Sequence, residues 1–206
     1  MRSCEYVKVP ASEKRRTDIV RLRNIVFRRK YTGSIIPHDS PDLHSADFVS
    51  ITFEMQKKDE KSDRVTQHIT HHAIMCPVRA WATIVKRIRS YPGADDDTPV
   101  SAVWRNNQIE QITSKDIINS IDNAAKSIGY ANLGVEEGDF GTHSIRSGGA
   151  MAMALDDIPP YRIMMIGRWS SDAFLKYIRK QVDQFSHNIS TRMNKHMHFR
   201  HVPIVD

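Results

Sequence analysis

Only two cysteines, Cys4 and Cys76, occur in the 206 residues, and they lie far apart in no metal or redox spacing. A disulfide framework is thereby excluded, and a reducing intracellular compartment is the natural expectation. No apolar run approaches the ~18 to 20 residues that a membrane-spanning helix needs, so a membrane partner is not expected. The opening MRSCEY lacks the apolar stretch of a secretory signal. Internal repeats and low-complexity segments are missing too. Two stretches read as loops, residues 31–42 with Gly33, Pro37 and Pro41, and residues 91–99 with Pro92, Gly93 and three consecutive aspartates. Neither is long enough for an interdomain linker, so residues 1–206 are expected to form a single domain.

What is present is a mixed composition, 40% hydrophobic and 26% charged, enough for one substantial core or two small ones. The net charge is +6 and the excess is uneven. Residues 14–30 hold eight basic side chains (Lys14, Arg15, Arg16, Arg21, Arg23, Arg28, Arg29 and Lys30) against one acid, Asp18. Such a concentration suits phosphate neutralisation on a nucleic acid. Charge alone does not separate that reading from an ordinary solvated face.

Residues 48–56 alternate: Val49, Ile51, Phe53 and Met55 are apolar while Ser50, Thr52, Glu54 and Gln56 are polar, which predicts a half-buried strand. A polar turn over residues 57–63 and a return strand over 64–70 complete a hairpin, with Lys57, Lys58 and Lys61 near its tip. Residues 19–27 are a candidate third strand. The remainder reads as helix. Pro77 opens one with Val78, Trp81, Ile84, Val85 and Ile88 on its apolar face. Ser114 is placed as the cap of a second, whose face is Ile117, Ile121, Ala124 and Ile128 and whose stop is Gly129. Further helices are expected over residues 143–155, from Pro160 to about residue 166, from Ser170 or Ser171 through Phe174, Tyr177 and Ile178, and over residues 182–200. The expected fold class is mainly α with a small antiparallel β-sheet (α+β).

The most informative segments are GTHSIRSGG and IGRWSSDAFLKYI. His143 and Arg146 are three apart, so on a helix they share a face and can grip one anion. Gly148 and Gly149 cost helix stability, which suggests close approach by another backbone or by DNA. Trp169 and Tyr177 follow one short helix later.

H-x-x-R, then G-R-W, then a tyrosine one helix on resembles the active-site core of the tyrosine recombinases, the phage-integrase family. The tail is most similar to the eukaryotic transposon branch of the Crypton and DIRS kind. The family's R-x-x-E is matched by Arg2 and Glu5. Its hairpin lysine is matched by Lys57, with Lys58 a close second. The resemblance implies a tyrosine recombinase catalytic-domain fold and DNA strand cleavage through a covalent 3′-phosphotyrosyl link formed by Tyr177. In that scheme Arg2 and Arg146 clamp the non-bridging oxygens, because guanidinium is always charged and bonds them in a fork. His143 and Trp169 add hydrogen bonds; an indole N–H only donates, so Trp169 cannot act as a base. Lys57 protonates the departing 5′ oxygen, and Glu5 orients Arg2 or His143. Arg15, Arg16, Arg21, Arg23 and Arg168 are the expected DNA contacts. No metal and no small-molecule cofactor is implied, which fits the absence of a carboxylate cluster. The implied partners are double-stranded DNA and three further copies in a homo-tetramer on it. Residues 182–206 are placed as an exchanged or packed segment, and the nucleus as the compartment.

Alone, each of these residues has a plainer account. Trp169 and Tyr177 taken singly would be packing residues, as Phe174, Ile178, Trp81 and Trp104 are read. Lys57 would be a solvated hairpin tip. The clusters His68, His71, His72 and His196, His198, His201 lack acid or cysteine partners at a recognised spacing, so solvated histidines outweigh a structural zinc. The family's N-terminal DNA-binding domain has no counterpart here, so an N-terminally truncated catalytic domain is expected. The Trp169 to Tyr177 spacing is one residue shorter than in many bacterial members. Two alternatives stay open: a catalytically inactive DNA-binding relic and, less favoured, a type IB topoisomerase.

Overall fold

The computed structural model describes residues 5–8, 18–55, 61–169 and 175. It is a mixed α+β structure with a small antiparallel sheet, and it divides into two compact units, Met1–His143 and Ser144–Asp206.

The first unit is built on a four-stranded sheet in the order β2-β1-β3-β4. Its strands are β1 (Ile25–Arg28), β2 (Ile35–Ile36), β3 (Phe48–Met55) and β4 (Lys61–His68), and all neighbours are antiparallel. The alternation expected in β3 is present: Val49, Ile51 and Phe53 are buried, opposite Gln67, Val65 and Asp63 of β4. The return strand starts three residues earlier than expected, because pairing continues to Met55 opposite Lys61. The candidate strand at 19–27 is also corrected. Leu22–Asn24 forms a 3₁₀ turn held by a hydrogen bond from the Asn24 N–H to the Arg21 carbonyl, and the strand is confined to Ile25–Arg28.

Helix α1 (Pro77–Arg89) contacts β3 and β4. Val78, Ala82, Val85 and Ile88 are buried in one cluster with Leu22, Ile25, Phe27, Leu43, Val49 and Ile51; Trp81 and Ile84 pack at its margin. This is the 3.6-residue stripe read from the sequence, and burying it is a hydrophobic contribution to the unit's stability.

Two predicted details of α2 (Ser114–Ile128) are corrected. Its N-cap is Thr113, not Ser114. The Thr113 hydroxyl accepts from the Asp116 N–H, while the Asp116 carboxylate accepts from the Thr113 N–H, satisfying donors at both ends of the first turn. The apolar face is also rotated: Ala125 is buried, whereas Ala124 is exposed and Ile128 is 57% exposed. Gly129 does end the helix, with φ +94°, and α3 (Tyr130–Leu133) follows.

The sequence reading had no hairpin after residue 99, yet β5 (Ala102–Arg105) pairs with β6 (Gln108–Gln111). The signal was Asn106-Asn107. Both adopt positive φ, 51° and 58°, as a two-residue turn matched to strand twist requires. Trp104 on this hairpin lies 6.1 Å from the Tyr91 ring and stays 37% exposed.

The second unit contains α4 (Thr142–Leu155, from Ser144 onward) and α5 (Pro160–Gly167). Ala150 and Ile163 are buried together, with Met153, Ala154, Ile158, Met164, Trp169 and Leu175 packed around them. Both helices end in the same way. Asp157 and Arg168 each take a left-handed conformation. The next residue then donates back five positions, Ile158 to the Met153 carbonyl at 3.0 Å and Trp169 to the Met164 carbonyl at 2.9 Å. This Schellman closure satisfies the last carbonyls and seats an apolar side chain beyond the turn. Among the described residues no helix is long and apolar enough to cross a membrane.

Candidate active site

The two motifs that lie within the described residues meet in the second unit. Arg146 projects from the first turns of α4, and its Nη2 donates to the Gly167 carbonyl at 2.6 Å and to the Arg168 carbonyl at 3.2 Å. Those carbonyls stand at the C-terminus of α5, the negative end of a helix dipole, where a cation is favoured. The guanidinium carbon also lies 4.2 Å from the centroid of the Trp169 ring. That distance is a cation–π contact. One side chain thus joins H-x-x-R to G-R-W.

Each residue of G-R-W has a distinct local task. A Cβ on Gly167 would overlap the indole carbons of Trp169, so the ring folds back over a position where only glycine leaves room. Arg168 carries the left-handed turn, with φ 55° and ψ 50°. Trp169 follows with its backbone N–H closing the helix and its side chain packed against the Ala150 and Ile163 cluster. The motif is a helix terminus shaped to receive an arginine.

His143 is exposed on the first turn of α4, one turn before Arg146. Gly148 and Gly149 are exposed, and a Cβ on either would meet nothing within 4 Å. The expected approach by another backbone is therefore absent among the described residues.

Glu5 is fully buried in the first unit, where its carbonyl accepts from the Val20 N–H at 2.9 Å and Lys8 bridges to Thr113. A carboxylate so sealed from solvent has no direct access to a substrate in this arrangement. Arg23 and Arg21 are engaged within the chain. Arg23 grips both oxygens of Glu54, each at 3.0 Å, and contacts Asp97; Arg21 donates to the Asp97 carbonyl at 2.6 Å. The Arg23 guanidinium, and then the Asn24 amide, hold the Glu54 carboxyl below the usual carboxylate range. Arg23 is thus partly neutralised by Glu54 and Asp97. Tyr177, Arg2, Lys57, Lys58, Arg15 and Arg16, together with the packing assignments of Phe174 and Ile178 and the helix over 182–200, lie outside the described residues.

A second polar cluster, unforeseen from the sequence, lines a cleft of about 390 Å³ with His38, Asp39, Arg89 and Asp96. The Ile25 carbonyl can only accept, so His38 Nε2, 2.8 Å away, carries the proton. Nδ1 then accepts from Arg89 Nη2 at 3.2 Å, and Arg89 also pairs with Asp96. Burial first, and then the Arg89 cation, lower the His38 pKa from its ordinary value of 6.5, against the Ile25 carbonyl. His72 likewise accepts at Nδ1, from the N–H groups of Ile74 and Met75. Among the described residues no three or more His, Cys, Asp or Glu side chains gather as a metal site. His196, His198 and His201 lie outside them.

No family model matches the chain, and no curated protein matches it.

Proposed function

We propose that this chain is a tyrosine recombinase catalytic domain, cleaving and rejoining double-stranded DNA through Tyr177. The observation that carries the proposal is the seating of Arg146 on the G-R-W terminus of α5. An arginine fixed by two carbonyls and a ring is oriented before substrate arrives. Preorganisation of that kind is what makes a cation effective against charge that develops only in the transition state.

In this reading the Tyr177 hydroxyl attacks a backbone phosphorus while its proton passes toward His143. Arg146 and Arg2 neutralise the non-bridging oxygens, the bond from phosphorus to the 5′ oxygen breaks, and Lys57 or Lys58 protonates that oxygen. The phosphotyrosyl ester retains the bond energy, so a 5′ hydroxyl from a second strand can reverse the step. The exposure of His143, Gly148 and Gly149 on α4, with no described residue within 4 Å of a Cβ at either glycine, supports a duplex lying beside that helix.

The test is to incubate the protein with nicked duplexes in EDTA, denature, and look for a protein–DNA adduct. The proposal expects an adduct that is lost in Tyr177→Phe. DNA binding without any adduct would instead favour the non-catalytic DNA-binding relic.

A further inference from the structure

We infer that Trp169 acts chiefly as a platform that positions Arg146, through the face of its ring and not through its indole N–H. As a statement about strand cleavage this rests on the recombinase reading; as a statement about Arg146 it does not. The argument is geometric. The guanidinium lies 4.2 Å from the ring centroid, within the range where the negative π face attracts a cation. The same guanidinium is held at its edge by the carbonyls of the two residues preceding Trp169. Carbonyl contacts alone leave an arginine able to pivot about the bonded nitrogen; adding the ring fixes the plane as well.

The backbone is shaped for this stack. Gly167 gives the indole the space a Cβ would fill, and Arg168 takes the left-handed turn that brings residue 169 back over the helix end. That turn disfavours non-glycine residues. Both features serve the position of the ring. A tryptophan needed only for its N–H would not require its face to lie against the arginine. Trp169 is on this account a positioning residue, and Gly167 and Arg168 are the scaffold that sets it.

Substitutions separate the ring face from the donor. Trp169→Phe keeps a π face and removes the N–H; Trp169→His keeps an N–H and shrinks the face; Trp169→Leu removes both. The first readout is the Arg146 Nε–H resonance in ¹H–¹⁵N spectra, assigned by its loss in Arg146→Lys. Stacking on an indole shifts this proton upfield. The shift should persist in part in Trp169→Phe and vanish in Trp169→Leu. It should vanish also in Gly167→Ala, where both partners remain but the Cβ expels the ring. An Arg146 resonance unmoved in Gly167→Ala and Trp169→Phe alike would overturn the inference, even if Trp169→Leu failed to fold.

The second readout is adduct formation on nicked DNA. Trp169→Phe should lose less than Trp169→His and Trp169→Leu, which should fall by about 2- to 30-fold, the span of a cation–π contact. The opposite order, with His active and Phe impaired, would assign Trp169 to direct phosphate contact and refute the platform role. Absence of any adduct from the wild-type protein would count against the recombinase reading alone, since the resonance shift decides the stack by itself.

Discussion

The two units differ in how much apolar core their described residues bury. The first gathers residues from β1, β3, α1 and their connections into one apolar cluster, with Leu22, Phe27, Leu43, Val49, Val78, Ala82, Val85 and Ile88 all fully buried. The second, over its described residues, buries only Ala150 and Ile163 completely and adds a polar fastening in which one cation bonds two carbonyls and a ring. Burial is non-directional and forgiving of detail, whereas the fastening depends on the placement of a few atoms. Among the described residues the deeper apolar core lies in the first unit, while the two motifs of the second meet through a polar fastening.

Core truncation is the coarsest way to break this contrast. Phe27→Ala should cost about 3–5 kcal/mol, the range for a large buried aromatic, read from urea unfolding. Ile163→Ala should fall near the lower end of about 2–5 kcal/mol, because among the described residues only Ala150 is fully buried with it. Equal losses would mean that the second unit has as deep a core as the first.

Arg168→Gly sharpens the comparison in the opposite direction. Glycine takes φ 55° without the penalty that a side chain incurs there, so the variant should gain about 1 kcal/mol and melt higher. Its affinity for DNA should nevertheless fall, since a candidate phosphate contact is gone. A more stable protein that binds DNA as well as wild type would remove Arg168 from the interface.

The smallest effect belongs to the first unit's cleft. Because the folded His38 pKa is lowered, the neutral ring is the form that supports the fold. That contribution is complete above the ordinary imidazole value of 6.5 and is lost as pH falls through the lowered folded value. Protonation would set an N–H at Nδ1 against the Arg89 donor. Unfolding followed between pH 7 and 5 should show a decline that His38→Gln flattens; a parallel decline in that variant would place the responsible group elsewhere.

Much of this was legible in the sequence, and the failures have physical reasons. The alternation in β3 and the stripe on α1 were readable because one face of each is buried, and burial imposes a period. The stop of α2 at Gly129 was readable too, but the apolar face of its last turn was not. Its last turn is exposed, so Ile128 sits there without packing to enforce a pattern. The β5–β6 hairpin was missed because its strands are short and half-exposed, although Asn106-Asn107 gave the turn away. At the candidate site, Arg146 and Trp169 were selected because H-x-x-R and G-R-W together resemble a known motif set. Their mutual contact was not readable, because it runs through the carbonyls of Gly167 and Arg168, and every residue owns a carbonyl. The glycine of G-R-W was part of the motif without a role; its role is clearance, which only the position of the indole reveals.

The most direct test of the central claim is to map the adduct by peptide mass analysis after nuclease digestion of trapped protein, in wild type and in Arg146→Ala. The account predicts a nucleotide remnant on Tyr177 in the wild-type protein. It also predicts adduct formation reduced about 100- to 1000-fold in Arg146→Ala, the cost of losing one transition-state charge contact. A remnant on any other residue, or an undiminished yield in Arg146→Ala, would contradict it.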